Sequence, residues 1–132
     1  MDDLEIAKDA LAKFRHGWES GEWKPFVDLL APGFTQRVPI GELRGREVGY
    51  DETKRHFRAL RLMGLRLALG EPTRTTSGAG TVVFEVPVSG QLYGKPYQNR
   101  LVLSFDVADG KLTAMREYFG DLDPEILREG LK

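Results

Sequence analysis

The sequence predicts an α+β fold: helices come first, and an antiparallel sheet then curls over one side of them. Two observations carry this. Through most of the first 64 residues apolar side chains recur at intervals of three and four, whereas from residue 65 onward the period is two. The period-two runs are also separated by Gly-rich or Asp-Gly turns, so consecutive strands pair as a meander whose inner face needs a helical cover. A chain of 132 residues lies in the usual size range of one domain, and a single unit spanning 1–132 is expected.

Leu4, Ala7, Leu11, Phe14 and Trp18 fall on one stripe of a helix running from about residue 3 to 19, and Gly21 interrupts it. Pro25 suits the first turn of a second, short helix, to which Phe26, Leu29 and Leu30 give an apolar side before "APG" stops it. "FTQRVP" reads as a short strand and "IGELRGREVGY" as a glycine-punctuated loop. Asp51 caps a third helix with Thr53, Phe57 and Leu60 on its buried face, His56 at the border and Gly64 as its stop. Four strands follow in "LRLALGEP", "TVVFEVPVS", "YQNRLVLSFDV" and "KLTAMREYF", and "DPEILREGLK" makes a short terminal helix or tail.

Nineteen basic against twenty acidic side chains leave a net charge of −1 without a long run of one sign, which disfavours nucleic acid as a partner. No run approaches a membrane span, and the acidic start "MDDLE" is unlike a secretory signal, so a cytoplasmic protein is expected. The absence of cysteine excludes disulfides and thiolate chemistry, and His16 and His56 lack metal-ligand spacing, so neither a metal nor a cofactor is expected. What remains for chemistry is carboxylates, Tyr, Arg, Asn and His56.

Glu117 stands out because it shares the parity of Met115 and Phe119 in the last strand. Asp109-Gly110 allows a two-residue turn pairing Ala108 with Lys111, or a three-residue loop pairing Val107 with Lys111. The second sets Leu101 opposite Glu117, Leu103 opposite Met115 and Asn99 opposite Phe119; it gathers the apolar residues on one face and is preferred. The inner face then carries a carboxylate and an amide at the end remote from the turn, as a small-molecule pocket would. Equally simply, Glu117 faces water and its neighbours face the core.

"GKPYQNRLVLSFDVADGKLTAMREYFGDLDP" resembles the C-terminal signature of SnoaL-like proteins, of the nuclear-transport-factor-two-like (NTF2-like) or cystatin-like superfamily: Y-x-N, a strand, D-G-K, then R-E-Y-F. The helical hairpin, "LLAPGF" and the glycine-to-helix step at 49–60 match the same order. The resemblance implies a cone-shaped sheet around the long helix, a pocket inside the cone for an apolar small-molecule ligand, and a homodimer through the outer sheet face. Such a dimer would also account for Val83, Glu85 and Pro87 sharing the outer side of "TVVFEVPV".

In phenazine-biosynthesis members the glutamate of R-E-F/Y is a general acid, and Glu117 matches it. Limonene-epoxide-hydrolase-like members have an aspartate there, a second where Glu85 falls, an arginine two residues earlier, and a Y-x-N ahead of M-P; the last three positions here are Val83, Thr35 and Arg37. Ketosteroid isomerases place a base where this chain has Val38 and an oxyanion tyrosine where it has Phe14. The implied activity is a cofactor-independent isomerase, cyclase or lyase on an apolar cyclic or polyketide-like molecule, the alternative being a non-catalytic binding or dimeric accessory protein. Its candidate acid/base groups are Glu117 and Glu85, and its candidate substrate contacts are Asn99, Tyr97, Arg37, Phe14, Trp18, His56, Phe57, Leu101, Met115 and Phe119. Arg37 would also serve to pair with Glu42 or Glu117, and Asn99 to hold Glu117 as a structural partner.

Overall fold

A sheet that must bury one apolar face while its strands twist ends as an open half-barrel closed by helices. The computed structural model, which describes residues 1–39, 44–92 and 94–121, has that form. In chain order the elements are α1 (Asp3–Ser20), α2 (Lys24–Val27), β1 (Leu30–Arg37), β2 (Glu47–Val48), α3 (Tyr50–Leu62), β3 (Leu67–Leu69), β4 (Arg74–Gly78), β5 (Thr81–Leu92), β6 (Lys95–Ala108) and β7 (Lys111–Phe119). The strand order is β2-β1-β7-β6-β5-β3, with β4 paired to β5 beside β3, and β1 runs parallel to β7. The expected curled sheet over a long helix and two shorter ones is therefore present.

The helix α1 starts where Asp2 accepts a hydrogen bond from the Glu5 amide at 2.8 Å and ends where Gly21 turns left-handed at φ +81°. Its buried stripe, Ile6, Ala7, Ala10, Leu11, Phe14 and Trp18, lies against β3, β5 and β6. Under it Phe14, Trp23, Phe26, Phe57 and Phe105 form one aromatic cluster; Phe14 has ring centroids 5.2 Å from Phe26 and 5.5 Å from Trp23. Gly17 lets Trp23 close against α1, since an added Cβ would lie 2.3 Å from its ring.

Four local expectations are corrected. The second helix ends at Val27, and Leu30 opens β1 instead of continuing the helix; "APG" is where β1 loses register with β7, between Leu30 and Thr35. Gly49, not Asp51, occupies the N-cap of α3, with no side-chain cap, because the helix begins two residues earlier than an Asp51 cap requires, at Tyr50. The loop before α3 contains the two-residue strand β2, and the polar run after β3 forms β4, fully exposed and therefore without an apolar period. The "DPEILREGLK" tail lies outside the described residues.

The β6–β7 hairpin combines parts of both anticipated registers. Asp109 and Gly110, both at positive φ, form a two-residue turn that pairs Ala108 with Lys111 and Val107 with Leu112. An irregularity at Thr113 then shifts the ladder, so that Phe105 faces Met115, Leu103 faces Glu117 and Leu101 faces Phe119. The preferred face for Glu117 is thus the observed one, although its partner is Leu103 and not Leu101, and Asn99 lies beyond Phe119.

Gly17→Ala should lower stability by about 1–3 kcal/mol through overpacking against Trp23, despite the roughly 1 kcal/mol that alanine adds to helix propensity. Urea denaturation measures it, and an unchanged or higher midpoint would contradict this packing.

Candidate functional site

Parallel pairing of β1 with β7 sets Gln36 beside Met115 and Arg37 beside Arg116, so Phe34, Gln36 and Val38 share the inner face with Met115 and Glu117. Leu101, Leu103 and Phe105 of β6 complete that wall, and Thr53 and Phe57 of α3 are buried on the helical side. Within this apolar surround Glu117 is 7% exposed, and its carboxylate has no hydrogen bond or ion pair among the described residues. Desolvation disfavours its charged form, which pushes the carboxyl from its ordinary 4.5 up to about 7.

Two buried polar atoms lack a hydrogen-bond partner among the described residues: the Gln36 Nε2 and the Thr53 Oγ1. Gln36 sits one diagonal position from Glu117, about 8 Å between backbones from strand spacing and rise. Thr53 is fully buried, and its hydroxyl makes no bond back to the preceding turn, the usual outlet for a helical threonine. The sequence places Thr53 on the buried face of the third helix but singles out neither residue as a site group. The signal for Gln36 was its alternation with Phe34 and Val38 in "FTQRV", and for Thr53 its spacing of four from Phe57.

The expected site residues divide. Phe14, Trp18, Phe57, Leu101 and Met115 are buried core, and Phe119 and Tyr97 are half-buried against it. His56 is half-buried at the α3 border, its ring 5.6 Å from that of Phe57, and burial lowers its pKa. Asn99 shares the inner parity, but its amide donates to the Tyr97 hydroxyl at 2.9 Å, and its oxygen accepts from the Asp121 amide at 2.9 Å and the Arg100 amide at 2.8 Å. These bonds tie the end of β7 to β6 and leave Glu117 without an amide partner.

Two placements are corrected. Glu85 alternates with buried Phe84 and Val86, so it lies on the outer face, its side chain 46% exposed and 4.0 Å from Arg74. Among the described residues Glu117 is therefore the one buried carboxylate. Arg37 is likewise exposed on the outer side, where it lines a small hollow with Glu47 and Arg116; neither the expected pocket contact nor a pair with Glu117 forms, because alternation along β1 gives the inner position to Gln36. Four hollows lined by described residues lie elsewhere on the surface, and none includes Glu117. Among those residues no group of three or more His, Cys, Asp or Glu is placed to hold a metal, and no helix is long and apolar enough to cross a membrane.

An open curled sheet packed against a long helix is the NTF2-like or cystatin-like architecture, and solved structures share it. An NTF2-like protein from Anabaena variabilis superposes with a TM-score of 0.83 at 38% identity, covering 90% of each chain. A putative isomerase from Bacillus subtilis (TM-score 0.71, 20% identity, 99% of this chain and 96% of that one) and an epoxide hydrolase of limonene-epoxide-hydrolase-like type from M. tuberculosis (0.66, 18%, 96% and 90%) share the fold. The model of the SnoaL-like domain matches residues 11–115, and the chain belongs to the SnoaL-like family. No curated protein matches it significantly.

A carboxyl whose pKa is higher folded than unfolded binds its proton more tightly in the native state, so stability is full below pH 4.5 and is lost as pH rises through about 7. Relative to Glu117→Gln, the wild type should lose about 3 kcal/mol across that window, at 1.36 kcal/mol per pKa unit. Denaturant unfolding at a series of pH values reads the difference, and a pH-independent gap would place the carboxylate in water. Gln36→Met, which removes an orphan amide at similar volume, should raise stability by about 1 kcal/mol; a loss instead would mean that the amide has a partner.

Proposed function

We propose that the chain is a cofactor-independent enzyme that moves a proton on an apolar cyclic or polyketide-like molecule, with Glu117 as the acid/base group. The observation that supports this is a carboxyl buried in an apolar wall, without a partner among the described residues and pushed up to about 7. At neutral pH both its forms are populated, so it can accept a proton and return one. With Glu85 on the outer face, Glu117 is the one buried carboxyl among the described residues, and in this reading it does both.

That restriction favours isomerisation by a proton shift, or a cyclisation or elimination in which the same group acts twice, over a two-carboxylate mechanism. The Gln36 amide supplies a donor for a carbonyl or hydroxyl oxygen of the substrate, and stabilises negative charge that develops there when a proton leaves the adjacent carbon. Thr53 supplies a second polar contact, and Leu101, Leu103, Met115 and Phe119 the apolar surround. His56, held toward its neutral form, is a border contact rather than a cation.

The second reading is a protein of the same family that binds its guest without transforming it. It is favoured by the outward position of Glu85 and by surface hollows that lie away from Glu117. In either case the outer sheet face serves as the homodimer surface: half-buried Val83 and Val102 and the 46% exposed Tyr118 surround the Arg116–Asp106 pair.

Mass spectrometry of small molecules retained by the purified protein identifies the substrate class. On that substrate Glu117→Gln should lower turnover by about two to four orders of magnitude, the range of general acid/base contributions, with affinity nearly unchanged. An unchanged rate would remove Glu117 from the mechanism, and binding without turnover in the wild type would select the second reading.

A further inference from the structure

We infer that the helical layer carries a second binding site, a groove between α2 and α3 that takes a phosphate monoester with an apolar body. The groove has a volume of about 520 Å³, in the range of small-molecule sites. On its floor Trp23 and Phe57 are stacked with ring centroids 4.3 Å apart and planes 15° from parallel, beside Val27. Its walls are cationic: Lys24 comes from α2, and Lys54, Arg55, Arg58 and Arg61 come from α3.

Positions 54, 58 and 61 follow helical spacing, so their charges form one stripe along α3 facing the groove. Among the described residues none of Lys54, Arg55, Arg58 and Arg61 takes part in an ion pair; Lys24 does, with Asp28 at 2.8 Å. Asp51 is the sole carboxylate among the lining residues, and it bridges to none of these cations. Like charges three and four apart repel, which works against the helix that carries them. In a chain with twenty acidic and nineteen basic side chains, a basic stripe that no carboxylate among the described residues pairs, lying over an aromatic floor, is complementary to an anion bound from outside.

The kind of anion follows from the groups present. Several cations facing one space suit a doubly charged oxyanion better than a single carboxylate, and the planar fork of arginine matches phosphate oxygens in pairs. The Trp23–Phe57 floor adds an apolar surface for the ester's hydrocarbon part. This groove is separate from the Glu117 wall: Glu117 does not line it, and Phe57, 2% exposed, packs its ring against Trp23 on the groove floor and against Phe26 within the core.

Trp23 is one of two tryptophans and reports occupancy directly by fluorescence. Titration with 1-naphthyl phosphate should give saturable quenching that weakens as salt is added. The exposed double variant Arg58→Ala/Arg61→Ala, checked for its fold by circular dichroism, should bind about tenfold or more weakly, and Arg58→Gln/Arg61→Gln serves if the alanines disturb α3. Inorganic phosphate and 1-naphthol should each bind about tenfold or more weakly than the ester, since each lacks one half of the recognition. Glu117→Gln should bind like the wild type, which separates this site from the interior one. Equal affinity in the arginine variants, equal binding of 1-naphthol, or no saturable quenching would overturn the proposal and leave the stripe as a solvated helix face.

Discussion

The structure depends on one irregularity in its last strand. A regular strand cannot send Leu112 and Met115, three residues apart, to the same side, because side chains alternate strictly. The extra residue at Thr113 resolves this: Leu112 packs opposite Val107 near the turn, and Met115, Glu117 and Phe119 then continue on the same inner face. Without that shift, keeping Leu112 in the core would put Met115 and Glu117 outside, exposing a large apolar residue and solvating the carboxylate. Burial of Met115 fixes the choice, and Glu117 is carried inward with it.

Adjacent residues on this strand therefore meet opposite environments. Arg116, facing out, binds both Asp106 oxygens, at 3.0 Å and 2.6 Å, and reaches the Ser104 hydroxyl at 2.9 Å; the Thr81 hydroxyl donates to the same Asp106. The Arg116 hydrogen bonds hold the Asp106 carboxyl below its ordinary value. One position later, Glu117 is buried with no hydrogen bond or ion pair among the described residues, and desolvation moves its pKa the other way. A stability-driven sequence would neutralise such a group; an interior acid/base needs it as it is.

Much of this was legible in the residues. The period of α1, the face of α3 and the positions of β5, β6 and β7 follow from hydrophobic spacing, because each buries a continuous apolar stripe. The two elements without such a stripe, β2 and β4, left no signal, being held by backbone pairing to β1 and β5. At the site, parity placed Glu117 correctly but could not count the residue absorbed at Thr113, so its partner was misassigned by two positions. Family position makes Glu85 a candidate acid/base group, whereas the alternation of Val82, Phe84 and Val86 turns it outward, and the structure follows the alternation. Gln36 was overlooked beside Thr35 and Arg37, although the same alternation singles it out.

The account rests on a carboxyl kept out of water by its own strand's packing. Nuclear magnetic resonance titration of carbon-13-labelled glutamate side chains, with the Glu117 signal assigned by its loss in Glu117→Gln, tests this most directly. The account predicts one carboxyl titrating near 7, well above the other glutamates. A Glu117 that titrates at the ordinary glutamate value of 4.5 would contradict it.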